Sequence, residues 1–123
     1  MRHRNAQRQL NRPWKSRMAL IRTQCRQVLE HKQIVTTDSK AKEVQAFLEP
    51  LLTKLIAGGQ HNLKLVDAVI NDRGLLLKVT NEVVPHLKDR QGGYTTIVKV
   101  APRRGDGTPR SVLRLNVPIE TEA

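Results

Sequence analysis

The sequence predicts a single α+β domain, ordered helix, strand, three helices and two strands, with a basic arm in front. Three observations predict this class. Apolar residues recur at three- and four-residue spacing in several segments before residue 90, which is typical of helices packed on a core. Near the C-terminus they alternate with polar residues, as in half-buried strands. The length of 123 residues suits one domain.

The positive charge of the chain is concentrated at its start. Before Glu30 there are eight Arg and Lys side chains and no acid, in a chain of net charge +11. Residues 1–14 contain too few apolar side chains to form a core, so we expect this arm to become ordered only against RNA. A solvated tail without a role is the alternative. Trp14 either stacks on a base or fixes the arm onto the first helix.

The first helix is predicted over residues 15–31. Its apolar stripe at helical spacing is formed by Met18, Ile21, Cys25, Val28 and Leu29. Arg17, Arg22 and Arg26 lie off that stripe, so the helix is expected to present a basic face to a partner. Cys25 lies on the stripe and is interpreted as core filling.

A strand at residues 33–36 leads into the second helix, for which the polar residues 37–39 supply capping side chains. The apolar stripe from residue 44 to residue 55 is the most regular in the chain. Pro50 interrupts the pattern and should kink or divide this helix, because proline lacks the backbone N–H. Glycines at 58–59 end it.

Two further helices and a hairpin complete the predicted domain, residues 15–117. The helices cover residues 61–70 and 75–87, and Pro85 weakens the last turn of the second. Strands are predicted at residues 94–101 and 111–117, and the loop between them is rich in turn-forming residues. A short acidic tail at residues 118–123 follows.

The composition indicates a polyanionic partner. A net charge of +11 and a pI near 10.7 on a small domain favour nucleic acid, with an anionic membrane surface as the rival. The membrane is disfavoured because no apolar run approaches the roughly 20 residues of a spanning helix and the N-terminus lacks a signal-peptide core. Three aromatic residues are too few for a single-strand stacking platform. One cysteine excludes an internal disulfide and fits a reducing compartment.

Two features outside the arm point to RNA. Lys40 and Lys42 occupy the first turns of the second helix, where the helix dipole disfavours cations but attracts phosphate. A solvated helix start is the alternative. The hairpin loop and its end carry Arg103, Arg104 and Arg110, which either form a plain basic turn or probe an RNA groove.

No pattern of catalytic or metal-binding residues is found. The possible metal ligands are scattered without a recognised spacing, namely His3, His31, His61, His86 and Cys25. The carboxylates that a metal-dependent nuclease could use are explained more simply as surface acids, namely Asp67, Asp72, Glu82, Asp89 and Asp106. The glycine-rich pieces match neither a P-loop nor a dinucleotide fingerprint. We therefore expect no enzyme, no metal, no cofactor and no small-molecule substrate.

Short blocks of sequence, in a fixed order, resemble the family of bacterial large-subunit ribosomal protein seventeen. They are Met1-Arg2-His3-Arg4, Gln9-Leu10-Asn11-Arg12, Ile34-Val35-Thr36-Thr37, Lys40-Ala41-Lys42-Glu43, Glu49-Pro50-Leu51, Gly92-Gly93-Tyr94-Thr95 and Arg104-Gly105-Asp106. Each block is weak alone, but together they extend from Met1 to about Val117. Departures from the family pattern fall at residues 13–17, 57–71 and 118–123.

The resemblance implies a two-layer α/β domain with helices on a small mixed sheet. It also implies a structural constituent of the large ribosomal subunit that binds large-subunit ribosomal RNA near the mouth of the peptide exit tunnel, beside neighbouring ribosomal proteins. The main alternative is a small DNA-binding or nucleoid-associated protein. The predicted RNA-binding residues are Arg2, His3, Arg4, Arg8, Arg12, Trp14, Lys15, Arg17, Arg22, Lys40, Lys42, Arg103, Arg104 and Arg110.

Overall fold

The computed structural model describes Leu10, residues 12–90 and residues 92–117 of the chain. Its elements are α1 (Trp14–His31), β1 (Gln33–Thr37), α2 (Asp38–Ala57), α3 (Gln60–Ile70), α4 (Arg73–Glu82), α5 (Val84–Leu87), β2 (Thr95–Val100) and β3 (Arg110–Leu115). The predicted α+β class is confirmed. Most of the predicted arm and all of the predicted acidic tail lie outside the described residues, and the proposed division of the chain stays a prediction.

The three strands form one sheet in the order β1-β3-β2, and β3 pairs antiparallel with both neighbours. β1 and β2 run in the same direction but are not adjacent, so the described strands include no parallel pair. The expected mixed sheet is therefore wrong. The hairpin itself is confirmed, and its strands are one or two residues shorter than predicted at their outer ends.

The core lies between the inner face of the sheet and the helices. Leu113 and Leu115 of β3 are fully buried and belong to the same apolar cluster as Cys25 of α1 and Leu48 of α2. Ile34 of β1 packs against the cluster from the edge of the sheet. The prediction that Cys25 fills the core is confirmed, and burial raises the pKa of its thiol to about 12.

The two helical prolines behave differently. Pro50 lies inside α2 without dividing it, so the division, one of the two effects predicted for it, does not occur, and the kink stays a prediction. Pro85 divides the predicted fourth helix into α4 and α5, a stronger effect than a weakened last turn. Proline has no N–H to donate to the carbonyl four residues earlier. The N–H of Val83 still donates to the carbonyl of Val79, whereas the N–H of His86 donates to the carbonyl of Val83, only three residues back.

Glu49 of α2 connects the helix layer to the start of β2. Its carboxylate accepts hydrogen bonds from the backbone N–H of Tyr94 at 3.3 Å and of Thr95 at 3.1 Å. The hydroxyl of Thr95 donates to the same carboxylate at 2.7 Å. Three donors on one half-buried acid fix the beginning of β2 against α2, which positions the whole hairpin relative to the helices.

Candidate nucleic-acid interface

The hairpin loop has a defined shape because its backbone closes on itself. The N–H of Arg103 donates to the carbonyl of Thr108 at 2.9 Å, and the N–H of Gly107 donates to the carbonyl of Arg103 at 3.0 Å. Gly105 and Gly107 have φ values of +101° and +68°, a backbone region that side chains with a Cβ rarely adopt. The loop is therefore a tight basic projection at the end of the sheet.

Arg103 and Asp106 form an ion pair inside this loop. The guanidinium donates to both carboxylate oxygens, at 3.2 Å from Nε and 2.5 Å from Nη2. The N–H of Thr108 donates to the same carboxylate at 3.1 Å. These bonds, the one from Arg103 first, lower the pKa of Asp106 well below its usual range and raise the pKa of Arg103. Arg103 thus stabilises the loop, and Arg104 beside it is exposed.

The start of α2 is attached to the base of the hairpin. The N–H of Asp38 donates to the carbonyl of Pro109 at 3.1 Å, and the hydroxyl of Ser111 donates to Oδ1 of Asp38 at 2.8 Å. Lys42 forms an ion pair with Asp38 at 3.2 Å. The hydrogen bond from Ser111, followed by the contact with Lys42, lowers the pKa of Asp38. Thr37 is the N-cap, but it makes no side-chain capping hydrogen bond, so that predicted role is wrong for Thr37.

Two predicted sites therefore meet at one end of the molecule. Lys99 joins them, because it is paired with Ser111 in the sheet and its charge acts on Asp38. We call this surface the cationic end and define it as Lys40, Lys42, Lys99, Arg103, Arg104 and Arg110. Its acids are Asp38 and Asp106. Sequence reasoning missed Lys99, which only the register of the strands brings to this end.

The beginning of α1 points toward the same end. Gln24 donates from Nε2 to the hydroxyl of Thr36 at 3.2 Å, near the end of β1 that the hairpin loop adjoins. The helix thus runs antiparallel to β1, and its first ten residues extend about 15 Å beyond this contact. Trp14 and Lys15 are exposed there, Trp14 by 65%. Arg12 is exposed, and Arg2, His3, Arg4 and Arg8 lie outside the described residues.

The expected basic face of α1 is wrong in part. Arg17 is buried, with 8% of its surface exposed, and it belongs to the side of the helix that meets the core. Arg22 is half-buried. Arg26 donates from Nε to the carbonyl of Ile70 at 2.6 Å, which satisfies the C-terminal end of α3. Their helical positions are next to the apolar stripe, which accounts for their burial. The RNA-contact roles of Arg17 and Arg22 stay predictions.

The described part of the chain shows no second kind of site. Among those residues no three His, Cys, Asp or Glu side chains converge as metal ligands would. Cys25 is buried. None of the described helices combines the length and apolarity needed to cross a bilayer.

The fold and the cationic end define a small basic α+β protein whose charge suits a polyanionic partner. The family described as ribosomal protein L17 matches residues 20–116. The large ribosomal subunit protein bL17 of Dictyoglomus thermophilum is 43% identical over 94% of this chain and 99% of the relative. The protein of the same name from Thermus thermophilus is 41% identical over 94% and 98%. That from Coprothermobacter proteolyticus is 39% identical over 93% and 97%.

The chain therefore belongs to the ribosomal protein L17 family. The match covers the domain from the middle of α1 to the end of β3, and the relatives extend it over nearly the whole chain. The resemblance drawn from short sequence blocks is confirmed.

Proposed function

We propose that this protein is a structural constituent of the large ribosomal subunit, where it binds and organises large-subunit ribosomal RNA. The main support for the proposal is that the chain belongs to the ribosomal protein L17 family. Three relatives named as large ribosomal subunit proteins share 39% to 43% identity with it over nearly their full length. The function is structural rather than enzymatic. The cationic end supplies the chemistry that such a role requires, because RNA binding depends first on neutralising phosphates.

The cationic end is the proposed main contact of the described residues. Arg104 and Lys99 are exposed, and Lys40 lies in the first turn of α2, whose N–H groups attract phosphate. The ion pair of Arg103 with Asp106 keeps the loop in one shape, so little ordering entropy is lost when the loop meets RNA. The other predicted contacts, among them the arm, remain part of the proposal.

The proposed mechanism is the bridging of separate RNA segments. A cationic surface between two phosphate backbones reduces their repulsion and fixes their relative position, since arginine can bind phosphate oxygens with two N–H groups. By family resemblance, the position is near the mouth of the peptide exit tunnel, beside other ribosomal proteins. The protein is located in the ribosome, in the cytoplasm.

The test is sedimentation of a gently lysed extract through a sucrose gradient, with fractions probed for this chain. We expect it with large subunits and intact ribosomes, and still there after a moderate salt wash. Recovery at the top of the gradient, or with chromosomal DNA, would contradict the proposal.

The nucleoid alternative shares the charge but predicts a different preference. Binding of the purified protein to a folded ribosomal RNA fragment and to duplex DNA at equal salt separates the two. We expect tighter binding to the RNA. If six to ten phosphates are contacted, raising salt from 50 to 200 mM weakens binding by roughly 10³ to 10⁵, by analogy with duplex DNA.

A further inference from the structure

The outer face of the sheet, which points away from α1 and α2, carries a row of valines. Val35 of β1, Val112 of β3 and Val98 of β2 lie in direct register across the three strands. Val35 is 60% exposed and Val98 is 47% exposed. Val100, in the next row, is 37% exposed. The alternation of β3 explains the arrangement, because Leu113 and Leu115 take the opposite, buried face.

Arginines border this row on both sides. Arg114 lies opposite Gln33 and Thr96, and Arg110 lies opposite Thr37 and Val100. The two arginines are four residues apart on β3, about 13 Å along the strand. None of the outward-facing residues of the three strands is acidic. The outer face thus has an apolar row across its three strands, with an arginine of β3 on each side of the row.

Such a surface is typical of a site that another molecule covers. Single exposed valines are ordinary, but an apolar row that crosses a whole sheet is the kind of contiguous patch that marks an interaction site. Among the described residues, the helices pack against the inner face of the sheet. An apolar centre with arginine at its border is also the usual composition of a protein interface.

The chemistry favours a protein over RNA on this face. RNA contacts with a sheet commonly use aromatic side chains on which bases stack, and the outward positions of these strands hold none. Burying valines lowers the free energy only when apolar groups cover them, whereas the RNA backbone is charged throughout. A second copy of this chain is disfavoured, because stacking two such faces brings arginines of like charge together.

We propose that the outer face docks a segment of a neighbouring protein that has apolar side chains at its centre and Asp or Glu toward its ends. The apolar side chains cover the row of valines, and the carboxylates pair with Arg110 and Arg114. This inference rests on the proposed function, because it places the neighbour inside the large subunit. It assigns the cationic end, apart from Arg110, to RNA, and the outer face of the sheet with Arg110 and Arg114 to protein.

The test is photo-crosslinking within intact large subunits. Val98→p-benzoylphenylalanine places a reactive group on the outer face, and Val35→p-benzoylphenylalanine does the same on the other edge strand in case the first variant fails to assemble. Leu77→p-benzoylphenylalanine is the matched control, because Leu77 is exposed by 66% but lies on α4. Crosslinked peptides are identified by mass spectrometry after nuclease treatment.

We expect positions 98 and 35 to crosslink to one and the same segment of another ribosomal protein, with apolar residues flanked by Asp or Glu. Adding Val35→Thr to the Val98 variant keeps the shape but makes the row more polar, and should lower the crosslink yield several-fold. Crosslinks to RNA or to a second copy of this chain, an unchanged yield, or no crosslink above that of position 77 would overturn the inference. Absence of the unmodified chain from large subunits would instead overturn the proposed function.

Discussion

The arginines of α1 and those of the hairpin are alike in sequence but differ in what they contact. Arg26 donates its Nε–H to the carbonyl of Ile70, and Arg17 is buried against the core. Arg104 is exposed at the tip of a loop that Arg103 and Asp106 hold in shape. The comparison teaches that a run of positive charge does not by itself locate a binding surface. Some of the charge stabilises the fold, and the rest remains for a partner.

The largest effect should follow from removing charge at the cationic end. The triple variant Lys40→Ala/Lys99→Ala/Arg104→Ala should flatten the slope of log affinity against log salt by about 2 to 3 and weaken binding to a ribosomal RNA fragment by roughly 10² at 0.1 M salt. Filter binding over a salt series measures both. The melting temperature should hardly change.

The matched control removes the same amount of charge elsewhere. Lys54, Lys64 and Lys88 are exposed on the helical side of the molecule, away from the hairpin. Changing these three to Ala lowers the net charge equally. Equal losses of affinity for the two triple variants would show that binding depends on total charge and would contradict a specific role of the cationic end.

Arg26→Met should have the next largest effect, and on stability rather than on RNA. The substitution leaves the carbonyl of Ile70 without its charged donor in a half-buried position, which costs about 1.5 to 3 kcal/mol of unfolding free energy. Urea denaturation measures it. Arg104→Met is the control, expected within about 0.5 kcal/mol of the parent because it is a surface change. Equal stability of the two variants would contradict the claim that Arg26 stabilises the fold and Arg104 does not.

Arg103→Gln and Arg104→Gln separate two neighbours of the same type within the loop. Only the first removes the partner of Asp106, so amide exchange at Gly107 and Thr108 should become faster. The increase should be up to about fivefold, because an exposed ion pair stabilises a structure only weakly. Arg104→Gln should leave exchange unchanged but weaken RNA binding. Hydrogen exchange followed by NMR measures the loop directly. Faster exchange in both variants would contradict the division of roles.

The smallest effect is a pH dependence of the loop. Arg103 and the N–H of Thr108 lower the pKa of Asp106, so the loop gains stability above the pKa of an unfolded Asp, about 3.9, and loses it as pH falls through the lower pKa of the folded state. The amide signal of Thr108 should therefore titrate below the pKa of an unfolded Asp. Arg103→Gln should move the midpoint upward. A midpoint at the ordinary value in the parent would mean that the ion pair does not persist in solution.

The order and type of the elements could be predicted from the sequence because each depends on local periodicity. The stripe of α1 and the alternation of β3 place those elements to within two residues. The antiparallel sheet, the burial of Arg17 and the approach of Lys99 to Asp38 depend on contacts between distant segments, which local patterns do not encode. Of the two effects expected at Pro50, a kink or a division, the division does not occur, because packing of α2 against α1, α3 and the sheet overrides a local helix-breaking preference.

The candidate site could be predicted in part. Lys40, Lys42 and the hairpin arginines could be found because cations at a helix start, and three arginines within residues 103–110, are unusual enough to notice. Their meeting at one end could not be predicted, because it depends on the hydrogen bonds that join Asp38 to Pro109 and Ser111. The outer valines look like ordinary strand residues in the sequence, since alternation reveals two faces but not which of them stays uncovered.

The central claim is that the cationic end, and not basic charge in general, faces RNA in the large subunit. Lysine acetylation, compared between the free protein and intact large subunits by mass spectrometry, tests it most directly. We expect Lys40 and Lys99 to be acetylated about tenfold or more slowly in the subunit than in the free protein, because contacts with phosphates cover their amino groups. Lys40 and Lys99 reacting as fast in the subunit as in the free protein would contradict the claim.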